Sequence, residues 1–256
     1  MIKKDTIHIT PYNCDRTLHI YIPDDLKEGE KLPVLYMFDG HNLFSDSEAT
    51  YGKSWGMKKY LDETHTHILV VGLECNHTGN ERLAEFTPYS FEYQGQWIKT
   101  KGLPLIDWMV HELKDYIDAN YPTLPDREHT YVGGSSMGGT MALYMTVMHS
   151  DIYSKAASVS PHIYPMYKQF KADIDVEMQP DTTIYISWGG YEYETHQLFA
   201  RVTDQNLQLI RILLKKPGVD VLPHVFKNDN HSESAWEKEL HVWMETLGLV
   251  NKAENQ

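Results

Sequence analysis

The chain has 256 residues, 41% of them hydrophobic and 23% charged, a size and balance that suit one globular α/β domain without a second unit. Its 23 Lys+Arg against 36 Asp+Glu leave a formal net charge of −13, a field that repels a phosphate backbone and argues against nucleic acid as a partner. Only Cys14 and Cys75 are present, with neither ligand-like nor redox spacing, so a disulfide framework or a zinc knuckle is not expected and a reducing compartment is.

The opening Met1-Ile2-Lys3-Lys4-Asp5 has no apolar signal-peptide core, and no later stretch is long enough to span a bilayer. A cytoplasmic protein without a membrane partner is the expectation. Alternation then predicts a hairpin, with strands near Ile7 to Pro11 and Leu18 to Ile22 around a turn at Asn13 to Arg16. After the charged link Asp24 to Lys31, Leu32 to Phe38 is a near-continuous apolar run, the pattern of a strand buried on both faces. Similar runs follow at His67 to Leu73, His129 to Gly133, Lys155 to Val159, Thr183 to Trp188 and Asp220 to Phe226.

Helical patterns lie between these runs. Leu105, Trp108, Met109, Leu113, Tyr116 and Ile117 share one helix face that ends before Tyr121-Pro122, and others span Met137 to His149, Glu194 to Lys216 and Ser234 to Leu247. Strands that alternate with helices predict a mostly parallel sheet covered on both faces, with the N-terminal hairpin antiparallel. The predicted organisation is a single domain over 1–249, with an inserted loop or cap at about 76–102 and a disordered tail at 250–256.

Gly134-Ser135-Ser136-Met137-Gly138 stands where a strand end meets a helix start. A serine nucleophile on such a turn needs small flanking residues, which makes Ser136 the candidate nucleophile. A serine hydroxyl needs a base, normally a histidine oriented by a carboxylate, and in a parallel sheet these sit at the carboxyl ends of strands. Past Trp188 the chain reads Gly189-Gly190-Tyr191-Glu192-Tyr193-Glu194, and past Phe226 it reaches His231 just ahead of a helix. His224 falls inside a strand and His241 inside a helix. The order serine, acid, histidine is thus met by Ser136, Glu192 and His231, with Glu194 as the alternative acid. Two backbone N–H groups would hold the oxyanion: Met137 after the nucleophile, and Asn42 or His41 from the loop Asp39-Gly40-His41-Asn42. Trp188, Tyr191, Phe86, Tyr89 and Trp97 are candidates for contact with substrate, and their alternative role is to anchor the insert.

Several segments resemble the putative-esterase family of α/β-hydrolases, which holds enterochelin-type siderophore esterases, feruloyl and acetyl-xylan esterases, esterase D and mycolyltransferases. They are Leu35 to Phe44 with its Asp39-Gly40-His41-Asn42, Arg82 to Pro88, Pro125 to Glu128, Gly134 to Gly139, Ser158 to Pro161, Gly189 to Glu192 and His231 to Trp236. The resemblance implies an α/β-hydrolase fold, Ser136 as nucleophile, Glu192 as acid and His231 as base. It also implies a small-molecule ester substrate of carbohydrate, phenolic-acid or siderophore type, with no cofactor or metal. A thioesterase or acyltransferase would use the same three residues, and a catalytically inactive binding protein would keep the fold alone. Two positions depart from the family pattern: Gly190 replaces a more usual Thr or Ser, and His41 replaces Gln.

Overall fold

The computed structural model describes residues 1–250; the rest of the expected disordered tail, 251–256, lies outside the described residues. Ten strands form, β1 (Ile2–Ile9), β2 (Cys14–Tyr21), β3 (Val34–Phe38), β4 (Leu69–Leu73), β5 (Phe91–Tyr93), β6 (Gln96–Ile98), β7 (Thr130–Ser135), β8 (Lys155–Val159), β9 (Thr182–Gly189) and β10 (Val219–Phe226). All but β5 and β6 join one eight-stranded sheet in the order β1-β2-β4-β3-β7-β8-β9-β10. From β4 to β10 every pairing is parallel, while β1–β2 and β2–β4 are antiparallel. This is the α/β-hydrolase arrangement, with its antiparallel hairpin at one edge.

The hairpin differs in detail from the expectation. Pro11 cannot donate to a ladder and ends β1 at Ile9, and the reversal is completed by Asn13 in the left-handed region at φ 48°. Cys14, Asp15 and Arg16 therefore belong to β2, opposite Ile9, His8 and Ile7.

The central strands feed two cores. Along β3, Val34, Tyr36 and Phe38 enter one cluster and Leu35 and Met37 the other, which is why the run carries no polar alternation. The helices are α1 (Met57–Glu63), α2 (Glu81–Glu85), α3 (Gly102–Trp108), α4 (Lys114–Asn120), α5 (Met137–Met148), α6 (Tyr167–Asp173), α7 (His196–Leu213) and α8 (Glu233–Thr246). A π-helical turn at Met109–Leu113 links α3 to α4. Helix α5 is buried from Met137 to Val147 on every side, so it needs no polar face. Helices α1 and α8 cover the opposite face, where Trp55, Leu61, Trp236 and Trp243 share a core with Leu35 and Val70.

The 76–102 segment folds as α2 and the small β5–β6 hairpin, and Phe86, Phe91 and Ile98 enter the main core. Two ion pairs pin it down. Arg16 on β2 donates to both carboxylate oxygens of Glu85, at 2.8 and 2.9 Å, and Arg82 donates to both oxygens of Asp39, each at 2.7 Å. Among the described residues no helix is long and apolar enough to cross a membrane.

Candidate active site

The site gathers at the carboxyl ends of β3, β7, β9 and β10. Strand β7 ends at Ser135, and Ser136 then takes φ 57° and ψ −122° before α5 begins, a conformation that costs a non-glycine residue on the order of 1–3 kcal/mol. The surroundings hold it there: its N–H donates to the Val159 carbonyl at 2.9 Å, and its own carbonyl accepts from Thr140 and His162 at 3.0 and 3.2 Å. Glycine is required on both sides. A Cβ on Gly134 would meet the Gly138 backbone at 2.8 Å, and one on Gly138 would meet Cβ of Phe38 at 2.8 Å.

Glu192 and His231 arrive from two loops that pair beyond the sheet. Phe226 lies opposite Gly189 in the parallel ladder, and the pairing continues as Gly190 N–H donates to the Phe226 carbonyl at 2.9 Å and Tyr191 N–H to the Asp229 carbonyl at 3.0 Å. A Cβ on Gly190 would lie 2.2 Å from the Lys227 carbonyl oxygen, so this approach explains glycine where the family more often has Thr or Ser. The turn delivers the Glu192 carboxylate to His231, with Oε2 3.2 Å from Nδ1, while Glu194 faces solvent. The other oxygen of Glu192 accepts from the Gly189 N–H at 2.5 Å and the Ser160 hydroxyl at 2.6 Å. Ser160 in turn accepts from the indole N–H of Trp236 at 3.0 Å. The side chain of Glu192 is 3% exposed, so these donors replace the water a carboxylate would otherwise hold.

Trp236 stands in the first turn of α8, with its ring edge-on to His231 at 5.1 Å between centroids. The Ser232 hydroxyl caps that helix by accepting from Ala235 N–H. Thus the run from His231 to Trp236 starts a helix, packs against the imidazole and supports the Glu192 carboxylate through Ser160.

On the β3 side, Asp39 takes φ 58° and starts a short turn over Gly40–Asn42. A Cβ on Gly40 would fall 2.2 Å from the Gly72 carbonyl oxygen, which fixes glycine at the crossing of the β3 and β4 ends. The Asn42 N–H donates within the turn to the Asp39 carbonyl at 2.8 Å, and its side-chain oxygen accepts from Thr50 N–H at 2.9 Å. Met137 opens α5, and its N–H has no carbonyl one turn earlier to occupy it.

The sequence profile described as Putative esterase matches residues 9–246. The chain belongs to this esterase family. Solved structures similar to it include a ferulic acid esterase, at 18% identity and TM-score 0.64 over 94% of this chain and 95% of that one. Another is the S-formylglutathione hydrolase FrmB from Staphylococcus aureus, at 17% identity and TM-score 0.68 over 98% and 96%. An IroE-like serine hydrolase from Shewanella oneidensis matches at 16% identity and TM-score 0.77 over 96% and 80%. These likenesses carry the fold.

In this esterase-family chain the substrate-contact candidates divide. Phe86 is 0% exposed and packs edge-on to Phe38 at 4.8 Å, and Trp188 is 1% exposed and donates to the Thr203 hydroxyl at 3.0 Å. Both are enclosed in the core, which corrects the expectation that they touch substrate; an apolar ring on a loop or at a strand end is also what a core needs. Tyr89 donates to Asp173 at 2.7 Å and packs against Tyr144 and Phe170, an anchoring role. Trp97 and Tyr191 remain exposed.

The rings around the site are others. His162, whose N–H holds the Ser136 carbonyl, packs edge-on to Tyr164 at 4.8 Å, and Tyr164 meets Tyr193 at 6.5 Å. Phe91 of the insert lies 6.5 Å from His162. Burial lowers the His162 pKa to about 4, with the charges of His231 and Arg82 adding to the shift, so it is neutral at physiological pH. Nothing in the sequence singles out His162, which follows Pro161 outside any strand-end pattern; the only cue is its place directly after Ser158 to Pro161. Asp39 shows the opposite balance: burial alone would raise its pKa, but the charge and hydrogen bonds of Arg82 outweigh it and hold the carboxyl below its ordinary value.

Proposed function

We propose that this protein is a serine carboxylic ester hydrolase acting through an acyl-enzyme on Ser136. The observation that carries the reading is the Glu192–His231 contact at 3.2 Å past β9 and β10, taken with a serine held at φ 57° on the strand-to-helix turn after β7, at the same edge of one parallel sheet. Glu192 fixes the tautomer with the proton on Nδ1, which leaves Nε2 of His231 as the base that takes the Ser136 proton. Oγ attacks the ester carbonyl, the leaving alcohol takes the proton back from His231, and water then releases the acid by the reverse proton route.

Charge on the carbonyl oxygen would be met by the Met137 N–H, aided by the dipole of α5, and by an amide of the Asp39-to-Asn42 turn. Between the two candidates in that turn, His41 is favoured, because the Asn42 N–H is already committed to Asp39. The half-buried rings of His162, Tyr164 and Tyr193 form an aromatic wall suited to a phenolic acyl group or a sugar ring. This supports the phenolic-acid or carbohydrate ester reading within the family. No catalytic step in this scheme requires a metal or organic cofactor.

Hydrolysis of a panel of aryl esters, feruloylated and acetylated sugars, a siderophore trilactone and thioesters tests the proposal, with Ser136→Ala as control. Turnover of oxygen esters that disappears in the control is expected. A preference for thioesters, or for an alcohol acceptor over water, would replace the esterase assignment with a thioesterase or acyltransferase.

A further inference from the structure

Behind the turn at Asp39 to Asn42 lies a group of donor atoms that ester hydrolysis does not use. His41, Cys75 and His77 each offer one ligand atom, and these atoms all lie within 4.8 Å of one another. Cys75 and His77 follow β4, while His41 follows β3; the parallel pairing of those strands, with Phe38 opposite Leu73, brings the two loops together.

The two histidines are oriented as metal-binding imidazoles usually are, with the outer nitrogen held by a neighbouring oxygen and the inner one left to the cluster. Nε2 of His77 is 3.0 Å from a carboxylate oxygen of Glu74, and its Nδ1 faces Sγ of Cys75 at 3.9 Å. Nε2 of His41 is 2.9 Å from the Thr50 hydroxyl, and its Nδ1 is buried without a hydrogen-bond partner. The His41 and His77 rings meet edge-on, with centroids 4.6 Å apart.

The buried nitrogen is an independent pointer to a ligand. His41 is 4% exposed, and a ring nitrogen left without a partner at that depth is unfavourable unless something binds it. Adjacent His19 is 2% exposed with neither ring nitrogen hydrogen-bonded, and it lies 3.6 Å from Glu74 and 3.5 Å from Glu48. Glu74 and Glu48 add negative potential here; Asp39 does so less, because Arg82 pairs with it.

We propose that His41, Cys75 and His77 form a binding site for a borderline-soft divalent cation of the zinc type, with Glu74 orienting His77. A tetrahedral ion with Zn–N and Zn–S bonds of about 2.0–2.3 Å needs donors roughly 3.3–3.6 Å apart, so the present separations close with shifts of about 1 Å or less. Thiolate and imidazole donors select zinc over calcium or magnesium. Water fills the fourth position. Binding releases the Cys75 proton and ties the loop after β3 to the loop after β4.

Metal titration of the full-length protein tests the site, with Zn²⁺ in competition against a chromogenic chelator and Co²⁺ as a spectroscopic probe. His77→Gln and Cys75→Ser are the informative variants, since His77 is exposed and neither residue belongs to the esterase machinery. One equivalent of Co²⁺ should give a thiolate-to-cobalt charge-transfer band in the wild type that is lost in Cys75→Ser. Zinc affinity should fall at least about tenfold in His77→Gln. A wild type without stoichiometric binding or without that band, or variants that bind as the wild type does, would overturn the proposal.

Discussion

The carboxylate of Glu192 touches Nδ1 of His231 at 3.2 Å, whereas Glu194, two residues along the same turn, points to solvent. The difference comes from the Gly189 N–H and the Ser160 hydroxyl, which clamp Glu192 and have no counterpart at Glu194. Replacing Glu192 by Gln removes the charge that stabilises the imidazolium while retaining the shape. Steady-state kinetics should show kcat reduced about a hundredfold or more in Glu192→Gln. Glu194→Gln should stay within about twofold of wild type, and the reverse pattern would assign the acid role to Glu194.

Arg82 and Asp39 join the insert to the turn that would supply an oxyanion amide. Breaking the pair by Arg82→Ala leaves the Asp39 carboxylate enclosed without its countercharge. Removing one partner of a buried pair costs about 3–5 kcal/mol, and the partial exposure of Arg82 favours the lower end. Denaturant titration should show that loss. Because Arg82 holds the Asp39 pKa down, the pair's contribution is present above the ordinary carboxylate pKa and is lost as pH falls through the lowered one. The gap between variant and wild type should therefore narrow in acid.

Gly138 is a steric requirement of the turn that carries Ser136. A methyl group there would meet Cβ of Phe38 at 2.8 Å and lie 3.6 Å from Asp39. Gly138→Ala should destabilise the protein by about 1–3 kcal/mol. It should also lower kcat at temperatures where the variant remains folded, because the strain falls between Ser136 and the β3 loop. Thermal melts and kinetics on the same preparation separate the two effects.

In the core, Tyr185 donates to Glu239 at 2.8 Å, and burial raises the Glu239 pKa from an ordinary 4.5 to about 7. Between those values the unfolded chain has released the proton and the folded chain still holds it. Stability therefore falls as pH rises through this window and levels off above it. Glu239→Gln removes that dependence. Its melting temperature relative to wild type should rise by several degrees between about pH 5 and about pH 8, corresponding to about 3 kcal/mol at most. A constant difference would show that Glu239 does not titrate in this range.

The sheet and the chain order of the site were legible because each depends on local pattern. Buried parallel strands read as apolar runs, and Ser136, Glu192 and His231 each follow such a run by a few residues. What pattern could not reveal was which rings would be enclosed: Phe86 and Trp188 look the same in sequence as Tyr164 and Tyr193, and only packing against Phe38 and Thr203 separates them. The anchors of the insert, Arg16 to Glu85 and Arg82 to Asp39, are not legible in pattern because they join residues far apart in the chain. The grouping of His41 with Cys75 and His77 is not legible for the same reason, since it depends on the pairing of β3 with β4.

The central claim is that Ser136 is a nucleophile activated by His231. Labelling the folded protein with a fluorophosphonate, followed by intact mass and peptide mapping, tests it most directly. A single adduct on Ser136, absent from Ser136→Ala and strongly slowed in His231→Ala, is the predicted result. An unlabelled folded protein, or an adduct on another residue, would contradict it.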